Sequence, residues 1–283
     1  MNSNLRGAAW MVLAGLCWTF MTILVRQLSY DYSSFQILFF RNVVAVFILL
    51  PPAMNAGFST LKTQRLPLHC LRALLSYIGV LLLFYGIAKI PLPDVTALSF
   101  TQPLFVVLLA ALILKETVTS ERWVAVIIGF LGLLVIIRPG VISVELATIL
   151  VLVSAFSYAV SNICVKRLMT TDTAKQSVFY FNLLMFPIAM VPALIFWVTP
   201  TLEDIPIFIA IGVNGTIAVY AYARSFAIAD ASAVMPFDFL RMPMTALAAF
   251  ILFSETGDFW TWLGAMIIFG SSYVLAVRSK RTA

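Results

Sequence analysis

Charge is scarce in this sequence. Asp, Glu, Lys and Arg supply 11% of its 283 residues, less than half the share of about 25% found in water-soluble domains. Apolar residues take 62% and mean hydropathy is +1.03. A soluble fold with so little charge would aggregate, which leaves a polytopic membrane protein. Titratable catalytic groups are scarcer still. There is one histidine, His69, at a predicted loop edge, and Cys17, Cys70 and Cys164 have no metal-ligand or redox spacing. A membrane-embedded hydrolase needs clustered His, Asp or Cys at depth, so the reading is of a non-enzyme with no metal and no cofactor. No phosphate-binding loop is present, which argues against ATP hydrolysis by this chain. No ring of like charges suggests a channel. Stretches long and polar enough for a soluble domain, a linker or a low-complexity tract are missing too. The formal charge of +6 is not a nucleic-acid footprint, because Lys and Arg sit in short loops rather than along one polar face.

What the chain has is long apolar runs. About twenty apolar residues at about 1.5 Å each span the hydrocarbon core of a bilayer. Hydropathy predicts about ten such spans, near 7–25, 33–52, 70–88, 92–114, 122–138, 143–165, 176–198, 205–226, 231–253 and 259–277. The first reads as a spanning helix rather than a removed signal peptide, since no polar cleavage region follows it. The runs also repeat. Ala88, Glu116 and Trp123 return as Ala227, Glu255 and Trp262, displaced by 139. Trp18, Val25, Arg26 and Leu28 align with Tyr158, Val165, Lys166 and Leu168 at 140, and Pro52 with Pro192. The chain therefore divides into two five-helix repeats, 1–140 and 141–283.

The basic residues orient the spans. With the N-terminus inside, only Arg26, Lys89 and Arg138 fall in outer segments, and Arg41 and Arg241 lie within spans. This bias puts both termini on the cytoplasmic side. An odd number of helices per repeat inserts the second half upside down relative to the first. Inverted repeats build transporters with a substrate site near the midplane.

The ten-span duplicated plan resembles the EamA-type transporters of the drug/metabolite transporter superfamily. Pro103 through Glu116, with Trp123 and Gly129, carries the likeness in the first half; Glu255, Trp262 and Gly264 carry it in the second. A closer likeness, to the bacterial S-adenosylmethionine uptake branch, rests on FFR at 39–41, LLP at 49–51, LKTQR at 61–65, HCLR with His69 and Arg72, YG at 85–86 and SFTQPLF at 99–105. Riboflavin importers and amino-acid exporters share much of this background. The resemblance implies a carrier of a small metabolite in the bacterial inner membrane, with the lipid bilayer and that metabolite as partners. A homodimer is left open. Fold alone does not choose the substrate.

Arg41 lies about eight residues, or some 12 Å, into the second span. An Arg at a helix centre costs roughly 2.5–3.5 kcal/mol on insertion, so it must face protein, water or a partner. Two roles fit: an anchor for a carboxylate, or a structural lock on helix carbonyls or Asp238. Asp238 and Arg241 share a helical face at i, i+3, which predicts a local ion pair at a substrate or proton site, or one that fixes packing. Together with Arg41 they leave a surplus of one positive charge. That favours a substrate with a carboxylate, as in S-adenosylmethionine and amino acids but not riboflavin. Pro103 and Pro243 interrupt their spans and are candidate hinges or tolerated kinks. Thr101 and Gln102 make the fourth span polar, as cavity lining or as interhelical glue. Trp18, Tyr77, Tyr85, Tyr158 and Asn162 fall on likely central faces, for stacking on a ligand ring or for packing. Trp197, Trp260 and Trp262 read as interfacial belt residues. The fifth and tenth spans, almost without polar residues, read as packing or dimerisation helices outside the pore. Glu116 and Glu255 read as turn residues that cap helices or form salt bridges.

Overall fold

A computed structural model describes residues 3–55, 63–115, 118–138, 145–168, 170–172, 174–229, 234 and 237–278. Over these residues the chain is helical and contains no strand. The helices of the first half are α1 (Ser3–Leu28), α2 (Ser34–Asn55), α3 (Leu66–Lys89), α4 (Leu92–Ser99), α5 (Gln102–Ile113) and α6 (Ser120–Ile137). Those of the second are α7 (Leu146–Leu168), α8 (Ala174–Ile195), α9 (Ile205–Ile228), α10 (Arg241–Phe253) and α11 (Phe259–Arg278). Six apolar segments are long enough to cross a membrane, Leu92–Ile113 counting as one; four shorter apolar helices accompany them.

Local sequence explains many of the boundaries. Proline lies in the first turn of α3, α4, α5 and α9, where its missing N–H removes a donor that would have no helical partner anyway. Two helices stop at a left-handed residue that is not glycine: Arg138 at φ 47° and Ser254 at φ 57°. After Ser254, the Glu255 N–H donates back to the Ala249 carbonyl at 3.1 Å, one residue wider than a Schellman closure. That turn fixes where the Glu255 side chain points.

The fourth predicted span is broken rather than merely kinked. Phe100 and Thr101 form a turn between α4 and α5. The ninth shows the equivalent break at Phe239–Leu240, and α10 begins only at Arg241. Pro103 and Pro243 thus start half-helices; neither sits inside a continuous one.

Packing follows the repeat. α1 lies along α9 as α7 lies along α3, and α2 touches α9 as α8 touches α3. The helix pairs α2–α8 and α6–α11 are their own counterparts under the same exchange. All of these contacts join one half to the other. Small residues permit the closest approaches: a Cβ on Gly132 would come 2.9 Å from the Gly264 carbonyl oxygen. Buried hydroxyls tie the remaining crossings. Ser154 Oγ donates to the Gly79 carbonyl at 2.6 Å, Ser76 meets Ser161 at 2.6 Å, and Thr19 meets Thr245 at 3.1 Å. The opposite face of α6 exposes Val124, Ile127, Leu131 and Leu134, an apolar stripe suited to lipid.

Candidate functional site

The two halves enclose a cavity of about 1000 Å³. On α3 its wall follows one helical stripe, Arg72, Ser76, Val80, Leu83, Phe84 and Ile87. The end of the bundle where α1 begins is here called proximal. There Ser225 Oγ of α9 donates to the Gly7 carbonyl at 2.8 Å. At the distal end the Tyr32 hydroxyl donates to Asp204 Oδ2 at 2.7 Å. The cavity favours the proximal half: α9 lines it only from Gly215 to Ala223, and α11 only from Phe269 to Tyr273.

Of the residues singled out in the sequence, Arg41, Asp238, Arg241, Gln102, Trp18, Tyr158, Asn162 and Pro103 line this cavity. Arg41 Nε is buried without a hydrogen-bond partner. It fits against the bundle because Gly215 faces it, where a Cβ would stand 3.0 Å from that nitrogen. Asp238 is 9% exposed, and its Oδ1 also lacks a partner. Arg241 lies over two rings, its guanidinium carbon 5.2 Å from the centre of Trp18 and 4.9 Å from that of Phe100. Trp18 in turn contacts Tyr222 at 5.2 Å between centroids.

Several expectations need correction. Asp238 and Arg241 do not make a contact ion pair; those among the described residues are Arg26–Glu255, His69–Asp172 and Arg138–Asp258. Phe239 and Leu240 form a turn with bonds three residues back, and the Arg241 guanidinium lies over the Trp18 and Phe100 rings rather than against Asp238. Tyr77, Tyr85, Thr101 and Pro243 lie off the cavity wall. Tyr77 is buried, Tyr85 packs beside the apolar core, and Pro243 is exposed. Thr101 Oγ donates to the Leu98 carbonyl at 2.7 Å inside the α4–α5 break. The tenth span reaches the cavity through Phe269, Ser272 and Tyr273, whereas the fifth does not. Trp262 packs against the core instead of standing in a belt. Glu116 lies outside the described residues.

Sequence reasoning missed Arg72 as a wall residue. Its guanidinium sits 4.9 Å from the Phe181 ring centre and donates to the Ser177 carbonyl at 2.7 Å. With Arg41, Arg241 and Asp238, the wall carries a formal surplus of two positive charges rather than one. The signal was obscured because Arg72 stands near the predicted start of a span, where a flanking cation is expected.

Polar ties close the bundle at each end. Distally, Arg26 at the end of α1 donates to the Ile87 carbonyl and pairs with Glu255. The other Glu255 oxygen accepts the Leu92 N–H at 2.8 Å. Gln36 bonds the Val198 backbone in both directions, Arg138 pairs with Asp258, and Thr261 donates to Asp94 at 2.6 Å. Hydrogen bonds from Thr201 and Tyr32 hold the Asp204 carboxyl below its usual range. Proximally, Asp172 accepts from Thr63 at 2.5 Å and pairs with the buried His69 at 2.7 Å. Burial alone would raise the Asp172 carboxyl, but its bonds to Thr63, His69 and Thr171 outweigh that and hold it low.

An all-helical membrane bundle whose two similar halves wall a charged, small-molecule-sized cavity belongs to the class of integral membrane transporters. The family model for the EamA-like transporter family matches residues 5–138 and again 145–277, and the chain belongs to that family. It is 28% identical over 282 residues to an S-adenosylmethionine uptake transporter of Rickettsia prowazekii, covering 100% of this chain and 96% of that one. A riboflavin transporter of Vibrio cholerae is 33% identical over 269 residues, with 93% and 90% covered. A pseudopaline exporter of Pseudomonas aeruginosa is 27% identical over 273 residues, with 95% of each covered. A solved crystal structure shares the fold at a TM-score of 0.67 and 16% identity, over 98% of both chains.

Proposed function

We propose that this protein is a secondary carrier of the bacterial inner membrane that moves a small polar metabolite by alternating access. It crosses the bilayer ten times as two inverted five-helix repeats, residues 1–140 and 141–283, with both termini cytoplasmic. The substrate is S-adenosylmethionine or a related amino-acid-like compound. One observation carries the reading: Arg41 and Asp238 line a cavity walled by both halves, and the Arg41 Nε and Asp238 Oδ1 are buried without a hydrogen-bond partner. Leaving both buried groups unpaired is costly unless a ligand or water completes them. A compound with a carboxylate and a cationic centre complements both signs. Trp18, Tyr158 and Phe181 offer ring faces for an aromatic base or a sulfonium. Arg41, Asp238 and Arg241 bind, Gln102 and Asn162 add polar contacts, and the breaks before Pro103 and Pro243 act as hinges. The exposed stripe on α6 meets lipid or a second copy.

The riboflavin reading has its own support in the Vibrio cholerae relative and in the aromatic wall, which also suits a flavin ring. Counterflow in proteoliposomes separates the two. Labelled S-adenosylmethionine, riboflavin and several amino acids are offered against unlabelled internal pools. Saturable accumulation of S-adenosylmethionine or an amino acid, lost in Arg41→Ala, is the expected result. Accumulation of riboflavin alone moves the assignment to the second reading, and accumulation of none removes both.

A further inference from the structure

The polar ties at the distal end are not equivalent in position, and one of them is bonded to a residue of the cavity wall. Arg26 uses one guanidinium nitrogen for the Ile87 carbonyl and another for Glu255. Ile87 itself lines the cavity. Glu255 uses its second oxygen for the N–H of Leu92, the first residue of α4. Two side chains thus join α1, α3, α4 and the turn after α10. Both are well covered, at 12% and 13% exposure. The next cavity residues lie one turn away: Thr22 precedes Arg26 by four positions on α1, and Val95 follows Leu92 by three on α4. Arg26 and Glu255 do not themselves line the cavity, but Ile87, to whose carbonyl Arg26 donates, does; the bonds from Tyr32 to Asp204 and from Arg138 to Asp258 involve no residue of the cavity wall.

Chemistry also separates this pair from an ordinary surface bridge. The Arg26 fork is used on a carbonyl and a carboxylate at once, and the carboxylate is used on a cation and a backbone N–H at once. Such charge-assisted bonds are short and directional, so movement of any one of the four elements breaks at least one of them. The left-handed turn at Ser254 presents Glu255 without help from a long helix. The bond from its N–H to the Ala249 carbonyl ties Glu255 to the end of α10, so Glu255 leaves Arg26 when that end of the helix moves. We propose that Arg26 and Glu255 form the distal gate of the cavity: paired, they close that face, and their separation opens it. The proposal rests on the reading of the chain as an alternating-access carrier and adds the residues that control one of its two mouths.

The test needs no substrate. In the full-length chain with Cys17, Cys70 and Cys164 replaced by alanine, a single Thr22→Cys reports on the cavity one turn below the pair. A membrane-impermeant maleimide is applied to intact cells and, separately, to inside-out vesicles. Without further changes the probe is expected to react from one side only. Glu255→Gln is expected to raise reaction from the other side on the order of tenfold, as loss of a charge-assisted pair shifts a two-state equilibrium. Arg26→Lys keeps the charge opposite Glu255 and is expected to keep most of the protection. Should Glu255→Gln fail to elute as a monodisperse protein, Arg26→Gln takes its place. Equal reaction in a well-folded Glu255→Gln protein overturns the gate and leaves a structural staple. So does reaction from both sides before either residue is changed. Because labelling is independent of transport, absence of counterflow with every compound would count against the substrate reading and leave this result standing.

Discussion

Arg41 reaches the cavity because a side chain is missing opposite it. Gly215 leaves room for the guanidinium, and a methyl there would press on Nε at 3.0 Å. Arg41→Ala should abolish counterflow while the protein accumulates normally, and Arg41→Lys should not restore it, since an ammonium lacks the planar fork that reads a carboxylate. Asp238→Asn should weaken compounds bearing a cationic group more than those without one, measured by competition in the same assay. Asp172 makes a different prediction, about stability. Its folded carboxyl titrates below the unfolded value of about 3.9. The stabilisation is thus complete above the unfolded value and is lost as pH falls through the folded one. Thermal unfolding in detergent should show a steep decline on the acid side, and Asp172→Asn should unfold earlier at neutral pH with a shallower acid limb. Arg41 and Asp238 stood out in the sequence because buried charge in an apolar run is conspicuous, and both line the cavity. Sequence reasoning misjudged the partner of Asp238, because a shared helical face does not decide the rotamer, and Arg241 lies over the Trp18 and Phe100 rings instead. Tyr77 and Tyr85 were misplaced for a related reason. An aromatic residue suits a core as well as a cavity, and only the stripe through Arg72, Ser76 and Val80 shows which face of α3 is wet.

At the scale of elements, the α6–α11 crossing brings the backbones of the two halves together at Gly132 and Gly264. A Cβ on Gly132 would meet the Gly264 carbonyl oxygen and Ile267 Cγ2, both at 2.9 Å. Gly132→Val should therefore destabilise the protein by about 1–3 kcal/mol, seen as a lower unfolding temperature, with no selective loss for any one compound. The broken fourth and ninth spans lie at the other extreme of rigidity. Proline pointed to them in the sequence, but it sits just after each break and not within it. Proline's lost donor is harmless in a first turn, so the residue marks where a half-helix starts. Of the three basic residues that departed from the inward bias, Arg26 and Arg138 are now accounted for by acidic partners across the halves.

At the scale of the whole molecule, duplication was the most legible feature. A bilayer forces every backbone polar group into a helix, so apolar runs become helices with little ambiguity, and a constant displacement between runs exposes the repeat. How the repeats meet was not legible. Apolar faces look alike in sequence whether they meet lipid or protein, and residues such as Gly132 and Gly264 only permit a contact without naming it. The predicted orientation can be checked by fusing a fluorescent protein that matures only in the cytoplasm to either terminus; both fusions should fluoresce.

Because α1 rests on α9, α3 on α7 and α6 on α11, neither half covers its own faces. A chain cut between residues 138 and 145 should behave as two fragments that require each other. Expressed together they should reassemble and co-purify, whereas either alone should be degraded or pair with its own copies. The two halves would then be partners in one fold rather than two domains in series.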